Sequence, residues 1–570
     1  MVEKLYALWR EKAVADPDLC AELEAIEGNK EEIFDRFYKE LEFGTGGLRG
    51  VIGAGTNRMN VYTVAKATQG FAEYICEAFS SPSVAIGYDS RIKSDKFART
   101  AAAVLAANGI KVHLYPELMP TPMLSFAVRY LHCSAGIVVT ASHNPAKYNG
   151  YKAYGPDGCQ LNLQASEKVL EYIGRVDTFS GVRQTDFDKA VADGLICYID
   201  NTVIDAYLAE VAKQLVNPAA CADAGLRVIY TPLHGSGNKP VRAILKKVGI
   251  EHVTVVPEQE LPDGNFPTAP YPNPEIRQAF ECALKLAETQ QPDLLLATDP
   301  DCDRVGIAVR DKDEFKLMSG NQVGALLLNY LLSQRTEKGT MPENPIAVKT
   351  IVTTDLCNFI AAKYGCQIID VLTGFKFIGE QIGMLEQKGE AERYVFGFEE
   401  SYGYLAGSYV RDKDAVVASM LICEMASYYK LQGKNLIEVM NELYAEFGLY
   451  MNTQQSFVCE GASGMARMQQ IMDDLRKNPP VELGGLRTEA VYDYEASEAT
   501  VLATGEKSVI ELPKSNVLSF RLANDCSAII RPSGTEPKIK LYISAKEKDE
   551  AAAQKLTEAI GADMSAKMGF

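Results

Sequence analysis

A serine and a histidine stand side by side in a loop that follows an apolar, strand-like run. The run is GIVV at residues 136–139, the loop after it carries Ser142 and His143, and Lys152 follows close behind. A hydroxyl at the end of a buried strand is well placed to carry a transferable group, so Ser142 is a candidate nucleophile. A plain turn, in which serine, asparagine and proline serve only turn chemistry, is the alternative at this point.

Three carboxylates follow a second apolar run, spaced two residues apart. They are Asp299, Asp301 and Asp303 in LLLATDPDCDR, and Arg304 places a positive group beside them. Carboxylates gathered at the end of a strand repel each other unless a cation binds, so the spacing predicts a hard divalent ion, which we take to be Mg²⁺. An EF-hand is excluded because Arg304 occupies the sixth position, where glycine is needed.

A third loop, RPSGTEP near the C-terminus, has the groups that suit a phosphate. Arg531 offers a guanidinium fork, Ser533 and Thr535 offer hydroxyls, and Gly534 makes backbone N–H groups accessible. A simple β-turn between two strands is the alternative.

Two further loops carry polar groups of weaker specificity. In GFEESYG, Glu399 and Ser401 offer an acceptor and a donor for neighbouring sugar hydroxyls, although an acidic turn would look the same. The glycine-rich segment FGTGGLRG lacks the spacing of a dinucleotide loop or a P-loop. It instead favours a turn that presents Arg49 to an anion.

The composition indicates a globular, multidomain protein. At 570 residues the chain is too long for one hydrophobic core, and usual domain sizes predict about three to five domains. The formal net charge of −17 argues against nucleic acid or an anionic membrane as the main partner. We therefore expect small-molecule substrates, no nucleic-acid partner and no membrane partner, with the chain acting as a monomer or homodimer.

Several features predict a cytoplasmic location. The first residues are charged throughout, unlike a signal peptide, and nowhere do about 18 apolar residues follow one another. The 13 cysteines are scattered singly without a C-x-x-C pair, which is typical of free thiols in a reducing compartment. The histidines lack the paired spacing of zinc ligands, so we do not expect zinc.

Strand-like and helix-like segments alternate from residue 60 onward, which predicts an α/β fold. Within it we predict a helical lead-in over 1–42, a helix over about 274–288 and a loop over 373–379. The stretch from 456 onward is strand-rich and ends in a helix at 548–560, which predicts a separate α+β unit. The predicted domains are 1–205 with the lead-in and serine loop, 206–317 with the carboxylates, 318–450 with the Glu399 loop and 451–570 with the Arg531 loop.

Together the loops resemble those of a known family, the α-D-phosphohexomutases, which include phosphoglucomutases and phosphomannomutases. TASHNP is similar to the family's phosphoserine loop, DPDCDR to its metal loop, FEESYG to its sugar-recognition loop and RPSGTEP to its phosphate loop. The length and the segments TPLHGSG and PDGNFP are most similar to the longer phosphoglucomutase branch. The resemblance implies an α/β protein with three similar mixed-sheet α/β domains plus a C-terminal α+β domain around a central cleft.

The resemblance also implies a role for each candidate residue. Ser142 would be the phosphorylated serine, and one of its phosphate oxygens would join Asp299, Asp301 and Asp303 in binding Mg²⁺. His143, Lys152 and Arg49 would surround the transferring phosphoryl group, with Lys152 as the candidate general acid/base. The substrate-binding residues would be Arg304, Thr373, Lys376, Glu399, Ser401, Lys413, Arg531, Ser533, Gly534 and Thr535.

The reaction implied by the resemblance is the interconversion of glucose 1-phosphate and glucose 6-phosphate. In such a mutase the phosphoserine donates to the free sugar hydroxyl, glucose 1,6-bisphosphate turns end for end, and its other phosphate returns to the serine. Phosphomannomutase or phosphopentomutase activity on the same scaffold is one alternative. A sugar-phosphate phosphatase that uses the carboxylate loop and a catalytically idle sugar-phosphate-binding protein are the others.

Overall fold

The computed structural model of the chain describes residues 2–44, 46–459, 464–533 and 538–570. The chain forms two compact units. Unit 1 contains Met1–Ser319, Ile378–Phe396 and Ser401–Gly433, and unit 2 contains Gly320–Phe377, Gly397–Glu400 and Lys434–Phe570. None of the helices in the described part of the chain combines the length and the apolar character needed to cross a bilayer.

Three helices form the N-terminal lead-in that the sequence predicts. They are α1 (Val2–Lys12), α2 (Pro17–Ala25) and α3 (Lys30–Phe37). The second and third begin at polar caps, since Asp16 accepts a hydrogen bond from the backbone N–H of Asp18 and Asn29 accepts one from Glu32. Their apolar sides pack around the buried indole of Trp9, which gives the lead-in a small core of its own.

The serine loop belongs to a first, six-stranded mixed sheet in unit 1. Its elements are β1 (Gly47–Val51), α4 (Val61–Ala78), β2 (Ser83–Tyr88), α5 (Ser94–Ala107), β3 (Lys111–Leu114), α6 (Thr121–Tyr130), β4 (Ala135–Val139), β5 (Tyr148–Tyr154), α7 (Leu163–Arg175), α8 (Phe187–Ala192) and β6 (Ile196–Tyr198). The strand order is β1-β5-β4-β2-β3-β6, with β4, β2, β3 and β6 parallel to one another. Every residue of β4 is buried, as its unbroken apolar sequence requires.

The three carboxylates follow a strand of a second mixed sheet, also in unit 1. The elements are α9 (Asn201–Ala212), α10 (Pro218–Asp223), β7 (Arg227–Thr231), α11 (Asn238–Lys247), β8 (His252–Val255), α12 (Pro257–Glu260), α13 (Glu281–Gln290), β9 (Leu294–Thr298), β10 (Val305–Asp311) and β11 (Glu314–Met318). The order is β11-β10-β9-β7-β8, with β9, β7 and β8 parallel and β10 and β11 antiparallel to their neighbours. The apolar run LLLAT forms β9, which is entirely buried.

The next part of the chain again alternates helices and strands. Its elements are α14 (Gly320–Glu337), β12 (Ile346–Thr350), α15 (Leu356–Lys363), β13 (Gln367–Val371), α16 (Phe375–Gln387), β14 (Tyr394–Glu399), β15 (Gly403–Leu405) and α17 (Ala415–Leu431). Strands β12 and β13 pair in parallel within unit 2. Helix α17 is apolar on nearly all sides and almost wholly buried, as expected of a core helix.

The C-terminal part of unit 2 is an antiparallel sheet with flanking helices, which confirms the predicted α+β region. Its elements are α18 (Leu436–Phe447), β16 (Leu449–Val458), α19 (Gly464–Lys477), β17 (Glu482–Leu483), β18 (Leu486–Asp493), β19 (Glu498–Val501), β20 (Lys507–Val509), β21 (Leu518–Leu522), β22 (Cys526–Pro532), β23 (Lys538–Glu547) and α20 (Glu550–Met568). The order is β16-β23-β22-β21-β18-β19-β20, and β17 pairs with β18. A buried cluster including Ile351, Leu372, Tyr494 and Ile529 joins this sheet to the rest of unit 2.

The structure corrects the local prediction for Arg49. This residue lies on strand β1, paired with Gly150 of β5, and not in a turn. The surrounding glycines serve close strand pairing, because a Cβ added at Gly47 would lie 2.0 Å from the carbonyl oxygen of Tyr151.

Three helix limits also differ from the prediction. Helix α16 begins at Phe375, inside the predicted loop 373–379. Gly379 therefore lies in this helix, at a position where a larger residue would not fit, since a Cβ there would come 2.6 Å from the carbonyl oxygen of Arg411. The helix predicted over 274–288 is a 3₁₀ turn (Arg277–Phe280) followed by α13. The last helix, α20, extends eight residues beyond the predicted 560, to Met568.

Candidate active site

The serine loop holds Ser142 in a backbone conformation that is unusual for a residue with a side chain. Its φ is +50°, in the left-handed region, which costs about 1–2 kcal/mol for a non-glycine residue. Its backbone N–H donates to Thr140 Oγ1 at 2.8 Å. In this conformation Ser142 Oγ lies 2.7 Å from Asp299 Oδ2 and 3.1 Å from His143 Nδ1. The loop therefore brings the candidate nucleophile directly against the carboxylate loop.

The three carboxylates converge as their spacing predicts. Asp299, Asp301 and Asp303 are all buried, and one ligand oxygen from each lies within 4.8 Å of the others. The turn is closed by Asp299 Oδ1, which accepts the backbone N–H groups of Asp303 at 3.1 Å and Arg304 at 3.0 Å. These contacts fold the loop back on its first carboxylate.

The same cluster fits a divalent cation. Among the described residues, Oδ1 of Asp301 and Oδ1 of Asp303 are buried and have no hydrogen-bond partner. Burial, followed by repulsion from Asp301 and Asp303, raises the pKa of Asp299 well above its usual value. Buried carboxylate oxygens that lack donors are the hard ligands that Mg²⁺ prefers, and a cation would relieve the repulsion between them.

Two lysines lie against the carboxylates. Lys152 Nζ is 2.8 Å from Asp301 Oδ2 and 3.4 Å from Asp303 Oδ2, and Lys413 Nζ is 3.3 Å from Asp303 Oδ2. Burial alone would lower the pKa of Lys152, but Asp301 and then Asp303 outweigh it and raise the pKa. Lys152 is therefore an ammonium at neutral pH and can donate a proton.

The remaining polar groups of this site surround the serine loop. Arg49 Nη1 donates to Asn144 Oδ1 at 3.3 Å, and Arg304 Nη1 donates to Glu275 Oε1 at 2.5 Å. Burial, and next the positive charge of Arg304, hold the pKa of His143 well below its usual value. His143 is thus a neutral imidazole, while the two arginines supply fixed positive charge.

Unit 2 brings together a second set of candidates. The guanidinium of Arg531 donates to Thr373 Oγ1, and the N–H of the adjacent Gly374 donates to Glu399 Oε1 at 2.8 Å. A cationic fork, a hydroxyl and a carboxylate therefore share one part of unit 2. Such a set can bind a phosphate and a neighbouring sugar hydroxyl.

The other predicted substrate-binding residues are half-buried or lie outside the described part of the chain. Ser401 and Ser533 are half-buried, and Lys376 is half-buried in the first turn of α16. Gly534 and Thr535 lie outside the described residues. Their roles stay predictions.

Sequence reasoning missed a pair of buried charges behind the serine loop. Asp89 and Arg91 follow β2, and Arg91 donates to the backbone carbonyl of Ser142 while Asp89 accepts from Thr140 Oγ1. One signal was available: Asp89 and Arg91 directly follow the strand-like run VAIGY, and residues after the carboxyl ends of parallel strands meet at one edge of the sheet.

Comparisons with known proteins identify the family of the chain. Four models of the phosphoglucomutase/phosphomannomutase family match the chain in order: alpha/beta/alpha domain I over residues 40–179, domain II over 205–312, domain III over 319–447 and the C-terminal domain over 489–560. A phosphoglucomutase of Staphylococcus aureus is 39% identical over 529 residues, which is 92% of this chain and 93% of the relative. A phosphoglucomutase of Staphylococcus haemolyticus is 38% identical over 89% of this chain and 91% of its own length.

A solved structure supports the fold. The open form of parafusin, a phosphoglucomutase from Paramecium, superimposes with a TM-score of 0.68 at 17% identity, covering 93% of this chain and 97% of that one. The predicted four-domain α/β architecture is confirmed, whereas the predicted domain boundaries stay predictions. Because all four family models match in order and relatives at 39% identity cover nearly the whole chain, the chain belongs to the phosphoglucomutase/phosphomannomutase family, as an isomerase that acts by intramolecular phosphotransfer.

Proposed function

We propose that this enzyme interconverts glucose 1-phosphate and glucose 6-phosphate through a phosphoserine at Ser142, with glucose 1,6-bisphosphate as the intermediate. The observation that carries the proposal is the 2.7 Å contact between Ser142 Oγ and Asp299 Oδ2, within a buried cluster of three carboxylates. A nucleophilic hydroxyl at the edge of a cation site is the arrangement that phosphoryl transfer needs, because charge on the phosphoryl oxygens must be neutralised while the acceptor is held in line. The names of the staphylococcal relatives support glucose phosphates as the substrates.

We assign Mg²⁺ to Asp299, Asp301 and Asp303, together with an oxygen of the phosphorylated Ser142. The two carboxylate oxygens that lack donors and the raised pKa of Asp299 support this assignment. When bound, Mg²⁺ would stabilise negative charge on the phosphoryl oxygens.

We assign the proton transfers to Lys152. Its ammonium can protonate Ser142 Oγ when the phosphoryl group leaves that atom for the sugar hydroxyl. The amine so formed can accept the proton that the sugar hydroxyl loses, so that protons balance over each half of the reaction. Arg49 and Arg304 would hold the transferring group by charge, and neutral His143 would hydrogen-bond Ser142 Oγ.

We assign the substrate's non-reacting phosphate to the unit 2 set. Arg531 would bind it, with Ser533, Gly534 and Thr535 from the same loop. The charge-assisted fork of the guanidinium suits two phosphate oxygens at once. Sugar hydroxyls would be recognised by Glu399, Ser401, Thr373, Lys376 and Lys413.

We also place the enzyme in the cytoplasm. All 13 cysteines lie among the described residues and none of them forms a disulfide, as is usual in a reducing compartment.

The test is conversion of glucose 1-phosphate by the purified protein with Mg²⁺ and a trace of glucose 1,6-bisphosphate, followed by phosphorus NMR. We expect a mixture dominated by glucose 6-phosphate, without release of inorganic phosphate. The same experiment with mannose 1-phosphate and ribose 1-phosphate decides between this substrate and the related mutases. The proposal would be contradicted if the protein converted neither glucose phosphate. It would also be contradicted if the protein released inorganic phosphate steadily and the Ser142→Ala variant still did so.

A further inference from the structure

A single buried arginine binds much of the backbone of the serine loop. The Arg91 side chain has no exposed surface. Its Nη1 donates to the carbonyl oxygens of Pro145 and Tyr148, each at 3.1 Å, and its Nη2 donates to those of Ser142 and Asn144. One planar group therefore ties four carbonyl groups of the loop to the end of β2. A lysine could not do this, because its ammonium has neither the planar fork nor the number of donors.

Asp89 completes the connection to the nucleophile. Its Oδ2 lies 3.3 Å from Arg91 Nε and accepts the hydroxyl of Thr140 at 2.6 Å, and Thr140 Oγ1 in turn accepts the N–H of Ser142 at 2.8 Å. Both backbone polar groups of Ser142 are thus fixed, the carbonyl by Arg91 directly and the N–H through Thr140 and Asp89. This explains how a left-handed conformation persists at a residue that is not glycine.

The ring of Phe266, a residue between α12 and α13, covers the guanidinium of Arg91. The ring of Phe266 lies over Arg91, with 5.0 Å between the ring centre and Cζ, and it is fully buried. Phe266 belongs to PDGNFP, a segment to which neither the proposed chemistry nor substrate binding assigns a role. Gly264 of that segment lies so close to the chain beside Arg91 that an added Cβ would come 2.5 Å from the backbone nitrogen of Ile92.

We propose that Arg91, stacked on Phe266, is a positioning residue for phosphoryl transfer: it holds the serine loop in the conformation that places Ser142 Oγ beside the carboxylate cluster. The inference rests on the proposed function, since it concerns the same serine. Arg91 does not touch the reacting atoms. It acts through the backbone of the loop, and PDGNFP serves to keep its guanidinium in place.

The direct test is Arg91→Lys, which keeps the charge and removes the fork. We expect phosphorylation of Ser142 by glucose 1,6-bisphosphate, followed by rapid quench and intact-protein mass spectrometry, to slow about 100-fold, the scale expected when a reacting group is misplaced by about 1 Å. In steady state, kcat should fall by the same factor while KM changes less than about 3-fold. A role in folding alone would lower the melting temperature without separating kcat from KM in this way.

Arg99→Lys is the matched control. Arg99 also stacks on a phenylalanine ring, that of Phe187 at 3.8 Å, and pairs with Asp188, but its side chain is 48% exposed. We expect this variant to phosphorylate Ser142 at the wild-type rate. A second variant, Phe266→Leu, leaves every donor of Arg91 in place and should slow phosphorylation by about 10-fold through loss of the stacked ring.

The outcomes separate this inference from the proposed function. If wild-type protein takes no phosphate on Ser142, the proposed function fails, whatever the variants do. If wild type is phosphorylated and folded Arg91→Lys matches it in rate and kcat, the positioning role is overturned. Should Arg91→Lys not fold, Phe266→Leu decides by the same criterion, and failure of both to fold would also overturn the inference, because the pair would then hold the domain together and not the loop.

Discussion

Replacing Asp299 by asparagine separates charge from shape in the carboxylate cluster. The asparagine carbonyl can keep the hydrogen bonds that Oδ1 accepts from the N–H groups of Asp303 and Arg304. Its amide can donate to Ser142 Oγ in place of the present 2.7 Å contact. The variant should therefore fold as the wild type does, with one negative charge fewer in the cluster.

The size of the effect follows from the distances. At the 4.8 Å limit between ligand oxygens, two unit charges repel by about 3.5 kcal/mol at an effective dielectric constant of about 20. Lys152, Lys413 and Arg304 offset much of this repulsion. Without metal, we expect the free energy of unfolding of the Asp299→Asn variant to exceed that of wild type by about 1–3 kcal/mol. Each kcal/mol raises the melting temperature of a domain of about 150–250 residues by roughly 2–4 °C.

The cation should reverse the order of stability. At 100 times its Kd, Mg²⁺ stabilises the protein that binds it by about 2.7 kcal/mol, and the variant should lose most of this gain. The assay is thermal unfolding of both proteins at pH 8, first in EDTA and then in a Mg²⁺ titration. Asp188→Asn, which changes a carboxylate that is 86% exposed, serves as the control and should behave as wild type in both conditions.

Two results would refute this reasoning. A variant less stable than wild type in EDTA would mean that the charge of Asp299 is not under repulsive strain. Equal stabilisation of the variant and wild type by Mg²⁺ would mean that the cluster is not the cation site.

Three further substitutions test other parts of the structure. Asp355→Asn removes one of two carboxylates that pair with Lys349, whose side chain is 1% exposed: the partner at 3.0 Å is lost and Asp370 at 2.8 Å remains. The denaturation midpoint should therefore fall by the equivalent of about 1–3 kcal/mol, and an unchanged midpoint would contradict the account. Burial alone would raise the pKa of Asp355, but Lys349 and a neighbouring arginine outweigh burial and lower the pKa. The Asp355 carboxylate therefore contributes its full stabilisation above about pH 4 and loses it on further acidification. Below that pH, wild type should lose more stability than the variant. Gly150→Ala would place a Cβ 2.4 Å from the carbonyl oxygen of Thr140 and should cost about 1–3 kcal/mol and slow serine phosphorylation; wild-type kinetics would count against it. Arg531→Lys should raise KM for the sugar phosphate about 10- to 100-fold, and an unchanged KM would remove Arg531 from the phosphate site.

The sequence is most informative where an apolar run ends in polar residues. The segments that form β4 and β9 contain no polar interruption, so each predicts a buried strand, and the loops that follow them carry Ser142 and the carboxylates Asp299, Asp301 and Asp303. Their meeting at 2.7 Å depends on how the two sheets lie in unit 1, which strand patterns alone do not specify. The resemblance to a family supplied that connection.

The sequence is least informative where a side chain binds backbone. Arg91 makes its hydrogen bonds to carbonyl groups, which every residue has, so nothing in the loop's sequence marks it as their partner. Glycine was misleading for a related reason. Around Arg49, glycine permits two strands to pair closely. At Gly379, it permits the backbone of Arg411 to lie close to helix α16. In the sequence alone, both glycine positions look like turns.

The measurement that tests the central claim most directly is the mass of the intact protein before and after incubation with glucose 1,6-bisphosphate and Mg²⁺, with Ser142→Ala as the control. The account predicts the gain of a single phosphate by wild type, located on Ser142 by peptide mapping, and no gain by the variant. A wild-type protein that gains no phosphate, or a Ser142→Ala variant that gains one, would contradict the phosphoserine mechanism.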